Sequence, residues 1–428
     1  MGITAEERPG GTAPGSARAP GRTGLWLIGA RGSVATTATA GLAAIAGGLA
    51  PATGCVTEQG RLGALPLTAF GDLVVGGHDI SEVSIAKRAE LLVESGMLPL
   101  RLVESVRDEL DEADERVRPG YYPAGPGSAA GHAPGGAAAV SQADAARRLA
   151  RDITAFREDH GLDRVVVIDV ASTEPPIDDR PEFADPALLL EALEDPSRQI
   201  LPPSSLGAYA AILAGAPYAC FTPSAALGIP ALRRLAEERG LPTAGQDGKT
   251  GQTWLRSVLA PAFAARGLRV LSWAGANLLG GGDGATLADP QAVAGKLQSK
   301  NRGLQQLTGG ATTPLHIDNV QDLGETKVAW DHINVEGFLG SRLSLQTTWS
   351  AFDSMLAAPM LLDLARLLAL ADAAGESGHI AALGFFFKDP WGSDEHSFAE
   401  QTRLLAEWAE AASARVASRS GAGGGSRP

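Results

Sequence analysis

Lysine is the scarce residue of this chain. Of 36 basic residues in 428, only six are lysine: Lys87, Lys249, Lys296, Lys300, Lys327 and Lys388; the other 30 are arginine. Arginine stays protonated, whereas lysine changes its pKa when buried or crowded. Lysines kept at a few clustered positions therefore point to work that arginine cannot do. Five of the six fall between 249 and 388, beside Asp247, Asp283 and Asp331. Cysteine is scarcer still. Cys55 and Cys220 are too few for a disulfide framework and are not clustered as zinc ligands. Both lie in apolar runs and read as buried thiols, which places the protein in the cytoplasm. Positive charge is also in deficit. A formal net charge of −13 argues against nucleic acid or an anionic membrane as partner. The first 20 residues hold no apolar h-region, so no signal peptide is expected. The longest mildly apolar run, Val34 to Ala52, is broken by Thr and Gly and reads as a helix of a water-soluble fold.

What remains is a globular composition, 44% hydrophobic and 20% charged, in a chain long enough for two to three domains. Residues 1–22 and 416–428 are Gly/Ala/Pro/Ser/Arg-rich tails expected to be disordered. Between them, strands and helices alternate as in a doubly wound parallel sheet. Leu25-Trp26-Leu27-Ile28 runs into Gly29-Ala30-Arg31-Gly32-Ser33, and a helix follows from Val34. Strand, glycine turn and helix suit a dinucleotide pyrophosphate, although only Gly29-x-x-Gly32 of the full glycine pattern stands; an ordinary βα turn would look the same. A second strand is expected at 54–57, ending at Glu58. Glu58 and Asp79 then compete for the role of ribose-binding acid. Residues 82–117 carry helical periodicity, with Lys87 on a solvated face, and 119–136 read as a long loop. After a helix over 141–160, Arg164 to Val170 is the clearest central strand, and it delivers Ala171-Ser172-Thr173 to the carboxyl edge where ligands collect.

The second half carries the lysines. Gly245 to Thr253 is a polar, glycine-rich turn holding Asp247 and Lys249, without Walker spacing. A strand at 270–273 leads to Asn277 and to Gly280-Gly281-Gly282-Asp283. In the helix that follows, Lys296 and Lys300 share one face. Such a pair is either a solvated basic face or an anion site. Lys327 and Asp331 are again four apart. Strands are expected over 335–350, an apolar helix over 354–374, a buried strand over 381–387 ending at Lys388, and a last helix over 396–415. The histidines lack metal-ligand spacing, and no metal ligand is assigned.

In these residues the chain resembles the myo-inositol-3-phosphate synthase family, in its shorter archaeal-type form, from about Leu25 to Trp408. The resemblance rests on Gly29-Ala-Arg-Gly-Ser-Val-Ala-Thr-Thr37, Gly76-Gly-His-Asp-Ile80, Ala171-Ser-Thr-Glu-Pro175, Asp247-Gly-Lys-Thr-Gly-Gln-Thr253, Asn277-Leu-Leu-Gly-Gly-Gly-Asp-Gly284, Lys296-x-x-x-Lys300, Lys327-x-x-x-Asp331, Ala357-Ala-Pro359 and Phe385-Phe-Phe-Lys388. It implies a Rossmann-like doubly wound α/β fold with an inserted α+β catalytic and oligomerisation domain. The expected boundaries are 23–251 for the NAD-binding domain, 252–350 for the insertion and 351–415 for the return to the first domain. It also implies an NAD-dependent isomerase that oxidises glucose 6-phosphate at C5, enolises it, closes the ring by an aldol step and reduces the ketone. Lys296, Lys300, Lys327 and Lys388 match the family's catalytic lysines. Gly29, Ala30, Arg31, Gly32, Ser33, Val34, Asp79, Ala171, Ser172, Thr173, Asp247, Asp283 and Asp331 match positions around cofactor and substrate. A homotetramer and a supporting divalent or monovalent cation are further family features.

Three positions depart from the family pattern: Ala276 replaces Tyr, Gly281 replaces Asn or Asp, and Glu325 replaces Asp. They leave open a related cyclitol-phosphate synthase acting on another sugar phosphate. A net polyol-phosphate dehydrogenase and an NAD-binding protein without catalysis are two further rivals.

Overall fold

The structure is a computed structural model that describes residues 21–122, 140–280 and 303–422. Its larger sheet has seven parallel strands: β1 (Thr23–Ile28), β2 (Leu73–Asp79), β3 (Val117–Pro119), β4 (Arg164–Asp169), β5 (Tyr218–Cys220), β6 (Pro242–Gly245) and β11 (Gly378–His379). Their order across the sheet is β3-β2-β1-β4-β5-β6-β11. Side chains alternate across it because successive Cβ atoms in a strand point to opposite faces. Leu25, Leu27, Val166 and Ile168 enter one apolar core, against α1 (Ser33–Ala46), α2 (Ile85–Glu94) and α10 (Asp353–Ala373). Trp26, Val165, Val167 and Tyr218 enter the other, against α5 (Gln142–Asp159), α6 (Pro186–Glu194), α7 (Pro203–Ala214) and α8 (Pro230–Glu238). Helices thus cover both faces, as a parallel sheet requires.

The order reverses at β1. The chain leaves β1 toward β2 on one side and returns on the other as β4. At such a switch point the two loops diverge and open a crevice at the carboxyl edge of the sheet.

After β6, α9 (Gln252–Ala265) leads to a second sheet, inserted in the chain between β6 and β11. Its strands are β7 (Arg269–Leu279), β8 (Leu315–Asn319), β9 (Thr326–Glu336) and β10 (Arg342–Phe352), in the order β10-β9-β7-β8. One face buries Trp273, Ile333 and Val335 against Ala260 of α9 and Leu304. On the opposite face Trp330 is 39% exposed. α10 then returns the chain under the large sheet. It is long and apolar enough to cross a membrane by length and composition, but 78% of its apolar window is buried in this fold. Among the described residues it, not the helix within Val34 to Ala52, is the longest apolar helix.

Several expectations change. Residues 54–57 are no strand. Val56–Glu58 is a 3-10 turn, because Asp363 of α10 accepts the backbone N–H groups of Val56 (2.8 Å) and Thr57 (3.1 Å), leaving no donors for a sheet neighbour. Ala381–Phe386 is likewise a 3-10 helix, with Leu383, Phe385, Phe386 and Phe387 all buried. A continuous apolar run is compatible with either state, and here local turns take its backbone bonds. The periodic stretch 82–117 breaks into α2, α3 (Leu100–Ser105) and α4 (Arg107–Glu115) before β3. β7 continues through Asn277 to Leu279. The last helix, α11 (Phe398–Ala422), runs past 415 into the expected tail.

Asp363 is fully buried and also accepts the Thr57 hydroxyl at 2.5 Å, while Arg366 donates to Thr68 O and pairs with Glu58. Asp363→Ala strands these donors and leaves Arg366 without its neighbour's charge. It is expected to cost roughly 3–5 kcal/mol of stability, read from the midpoint of urea unfolding by tryptophan fluorescence.

Candidate active site

The glycine turn after β1 is built for close approach. Gly29 has φ +87°, and a Cβ there would sit 2.9 Å from the backbone of Ala171. Ala171 follows β4, so the two loops of the switch point touch at a place where only glycine fits. Gly32 caps α1 without any side-chain capping bond, which leaves the helix N–H groups open to an anion. Asp79 ends β2 and points at this turn. Its carboxylate accepts the Arg31 N–H (2.7 Å) and the Ser81 N–H (2.7 Å). The Arg31 guanidinium turns away onto Asp114 (2.8 and 2.9 Å) and Ser81 O. Glu58, the rival acid, pairs with Arg366 at 2.6 Å and does not line the cleft. An open cleft of about 630 Å³ is lined by Gly29, Arg31, Gly32, Asp79, Ala171, Ser172 and Thr173. Ala30 is buried beside it, and Ser33 opens α1. These residues fit a dinucleotide: a pyrophosphate at the helix terminus and a ribose at Asp79.

A buried carboxyl, Asp169, and a half-buried one, Glu174, flank the Ala171 turn. Asp169 accepts Ala171 N–H at 3.0 Å and the Tyr218 hydroxyl at 3.3 Å, and burial pushes its pKa up to about 7. Glu174 is held by Ser204 through its backbone N–H (2.7 Å) and hydroxyl, with its pKa raised by burial.

The cleft continues. A second pocket of about 130 Å³ shares Val170, Ala171 and Thr173 with the first, starts at Val34 and is floored by Asp247, Lys327, Asp353 and Lys388. Here two lysine–carboxylate pairs converge. Lys388 Nζ lies 2.7 Å from Asp247, and Lys327 Nζ lies 2.6 Å from Asp353. The first pair is set by backbone bonds. Lys388 N–H donates to Asp247 O (2.7 Å), Lys249 N–H to Phe386 O (2.8 Å), and Gly248 forms an antiparallel bridge with Phe387. Gly248 is required, since a Cβ would meet the Phe221 ring at 2.2 Å. Asp247 has φ +62°, a left-handed conformation uncommon for a residue other than glycine and one often found at functional sites.

Asp331 is placed differently. It is 2% exposed and accepts from Arg256 (2.5 Å), Gln252 (2.8 Å) and Trp273 (2.9 Å), joining α9 to the small sheet instead of lining the pocket. Lys296, Lys300, Asp283 and Gly281 lie outside the described residues. Ala276 stands on β7 opposite Trp330. Lys87 is solvated and pairs with Glu90. Sequence reasoning missed Asp353. Its signal was an acid opening an otherwise apolar 21-residue helix directly after a strand. Among the described residues no group of three or more His, Cys, Asp or Glu could hold a metal ion.

Fold and cleft define a class: a dinucleotide-binding α/β protein whose nucleotide cleft opens onto a lysine–carboxylate site. A family model described as myo-inositol-1-phosphate synthase matches residues 23–410, and the chain belongs to that family. It is 32% identical to inositol-3-phosphate synthase 1 of Bacteroides thetaiotaomicron over 91% of this chain and 94% of that protein. It is 31% identical to the inositol-3-phosphate synthase of Drosophila melanogaster over 70% of this chain and 54% of the relative. Among solved structures, inositol-3-phosphate synthase of Caenorhabditis elegans superposes with a TM-score of 0.79 at 23% identity, covering 92% of this chain and 86% of that one. A myo-inositol-1-phosphate synthase-related protein of Thermotoga maritima gives 0.69 at 22% identity, covering 90% and 98%. The chain is thus an NAD-binding enzyme of the inositol-3-phosphate synthase type.

Gly29→Ala is expected to weaken NAD binding at least tenfold in a fluorescence titration, with an unchanged far-UV circular dichroism spectrum. Asp169 carries a sign that can be checked. Its folded pKa, about 7, stands above an unfolded value of about 3.9, so the folded state holds the extra proton between the two. Its contribution to stability is fully present below about pH 4 and is lost as pH rises through 7. The melting temperature of Asp169→Asn relative to wild type is therefore expected to rise from pH 5 to pH 8.

Proposed function

We propose that the protein converts glucose 6-phosphate into 1D-myo-inositol 3-phosphate by oxidation, enolisation, intramolecular aldol closure and reduction, with no net redox change. The observation that carries this reading is the convergence of Lys388–Asp247 and Lys327–Asp353 at the end of the nucleotide cleft. NAD, when bound, takes a hydride from C5 and later returns it. The protein's own residues handle the charge. An enolate and an alkoxide form in turn, and ammonium groups fixed in a partly dry pocket stabilise both without reorganising. Asp247 and Asp353 hold Lys388 and Lys327 aimed at the pocket floor. Lys388 and Lys296 serve proton transfer around C5, while Lys327 and Lys300 hold oxyanion or phosphate. Asp79 takes the adenosine ribose, and Asp247 and Asp283 stand beside nicotinamide and substrate. Asp331 supports the site through Arg256. A supporting cation would need ligands beyond a His/Cys/Asp/Glu cluster of the described residues.

A tetramer in the cytoplasm is part of the same reading. It is supported by the open face of the small sheet and by the tip of its β9–β10 hairpin, where Phe338 and Leu339 are 84% and 88% exposed. The unit expected at 252–350 would be the oligomerising one. A second reading, a related cyclitol-phosphate synthase with another sugar phosphate, rests on the Ala276, Gly281 and Glu325 replacements.

Proton and phosphorus NMR after incubation with NAD and a panel of hexose phosphates tests both. Inositol phosphate from glucose 6-phosphate, without sustained absorbance of reduced nicotinamide, is the expected result; stoichiometric accumulation of reduced cofactor means a net dehydrogenase instead. Lys388→Ala and Lys327→Ala are each expected to lower kcat by roughly 10²-fold or more.

A further inference from the structure

Lys249 has no place in the scheme above, yet it is the most buried lysine among the described residues, at 6% exposure. Its Nζ donates to the Oε1 of Gln401 on α11. That amide cannot face the other way, since its Nε2 already donates to Glu395 O (2.6 Å) and Gly384 O (3.2 Å). The rings of Phe385 and Phe398 flank the ammonium at 5.9 and 5.8 Å. Lys388 and Lys327 each lie against a carboxylate. For Lys249 no carboxylate stands within salt-bridge distance among the described residues. An unpaired buried ammonium is costly, so this environment favours the neutral amine.

Lys249 also shares a small cavity with Lys388. The cavity, about 20 Å³, is lined in addition by Arg256, Ser257 and His396. That is room for about one water molecule, with enough polar groups around it to hold one. The two lysines are joined by backbone as well, since the turn carrying Lys249 pairs with the run ending in Lys388.

The proposed reaction leaves a need that this arrangement meets. Oxidation at C5 releases a hydroxyl proton together with the hydride. Lys388 donates from Nζ to Asp247 at 2.7 Å, so taking a further proton calls for a neighbouring acceptor for the one it gives up. We propose that Lys249 is the proton store of the site, relieving Lys388 through a water in the shared cavity during oxidation and returning the proton during reduction. This rests on the aldol-cyclase reading. The balance is simple. Lys388 passes one proton through the water to neutral Lys249, then takes the hydroxyl proton as the hydride leaves carbon. One proton is stored, one hydride is held by the cofactor, and a ketone remains; reduction reverses both transfers. Lys249 acts through Lys388 and is a positioning and proton-holding residue, not one that touches substrate.

The surrounding charges agree. Burial pushes Lys249 down to about 7, with Glu395 acting to raise it. Arg256 faces the cavity from α9 and Lys388 from the paired run, where Asp247 neutralises it. Asp389, Asp394 and Glu395 stand around His396, whose pKa burial and Lys249 together lower.

Six lysines are few enough to follow one by one. The full-length protein labelled with ¹³C at lysine Cε is titrated by NMR, and the signal missing in Lys249→Arg identifies Lys249. A midpoint near pH 7 is expected, and one above 9 overturns the proposal. Lys249→Arg keeps a cation and a hydrogen bond but cannot give up a proton. It and Lys249→Met are expected to lower kcat tenfold or more, to erase the limb near pH 7 in the kcat profile, and to leave KM for the sugar phosphate within threefold. Wild-type kcat and an unchanged limb in Lys249→Arg overturn the proposal, as does a raised KM with kcat intact. Absence of inositol phosphate from the wild-type protein overturns the function itself, a different failure from an active wild type with an indifferent Lys249→Arg.

Discussion

The site depends on one pairing of distant segments: the Asp247 turn beyond β6 against the run that ends in Lys388. Backbone bonds hold Gln246, Asp247 and Lys249 to Asp389, Lys388 and Phe386. The side chains then close as an ion pair of 2.7 Å, with Lys388 and Asp247 both largely buried. A buried pair of this kind repays its desolvation only when geometry is good and remaining polar groups are satisfied. The ladder supplies the geometry. Phe221, Phe385 and Phe387 pack around it, and the Gln401 amide fastens its far side to α11.

Everything else aims at that pairing. The switch point of the large sheet places Gly29 and Gly32 on the wall of the first cleft, and the Ala171 turn carries the cleft on toward the lysines. The small sheet brings Lys327 to the same floor on β9, and α10 meets it with Asp353 at its first residue. Asp331, on the same face of β9, is spent on Arg256 and Trp273. Two acids on neighbouring elements therefore do different work: Asp353 holds a lysine open to the pocket, and Asp331 locks α9 onto the sheet that carries that lysine.

Much of this was legible in the chain. Central strands announced themselves as short apolar runs ended by glycine or small polar residues, because a parallel strand buries both faces. The lysines stood out because arginine had replaced them elsewhere. Legibility failed where an apolar run was too short for its period to speak. Residues 54–57 and 381–387 looked like strands, and nothing local said that Asp363 would take the donors of the first or that the second would coil into a 3-10 helix. Asp353 was hidden in the same way, as an ordinary acid at a helix start.

By itself the sequence determined the doubly wound class, the dinucleotide turn, the choice of lysine over arginine and the family, since these rest on local periodicity, local turn chemistry and residue type. Tertiary structure alone decided which acid faces which cation. Asp79 and not Glu58 reaches the cleft, Asp353 and not Asp331 meets Lys327, and Lys249 is left facing an amide while Lys388 receives a carboxylate. The physical reason is range. A hydrogen bond or ion pair acts over about 3–4 Å, and these partners stand far apart in the chain, so only the packing of the two sheets brings them within reach.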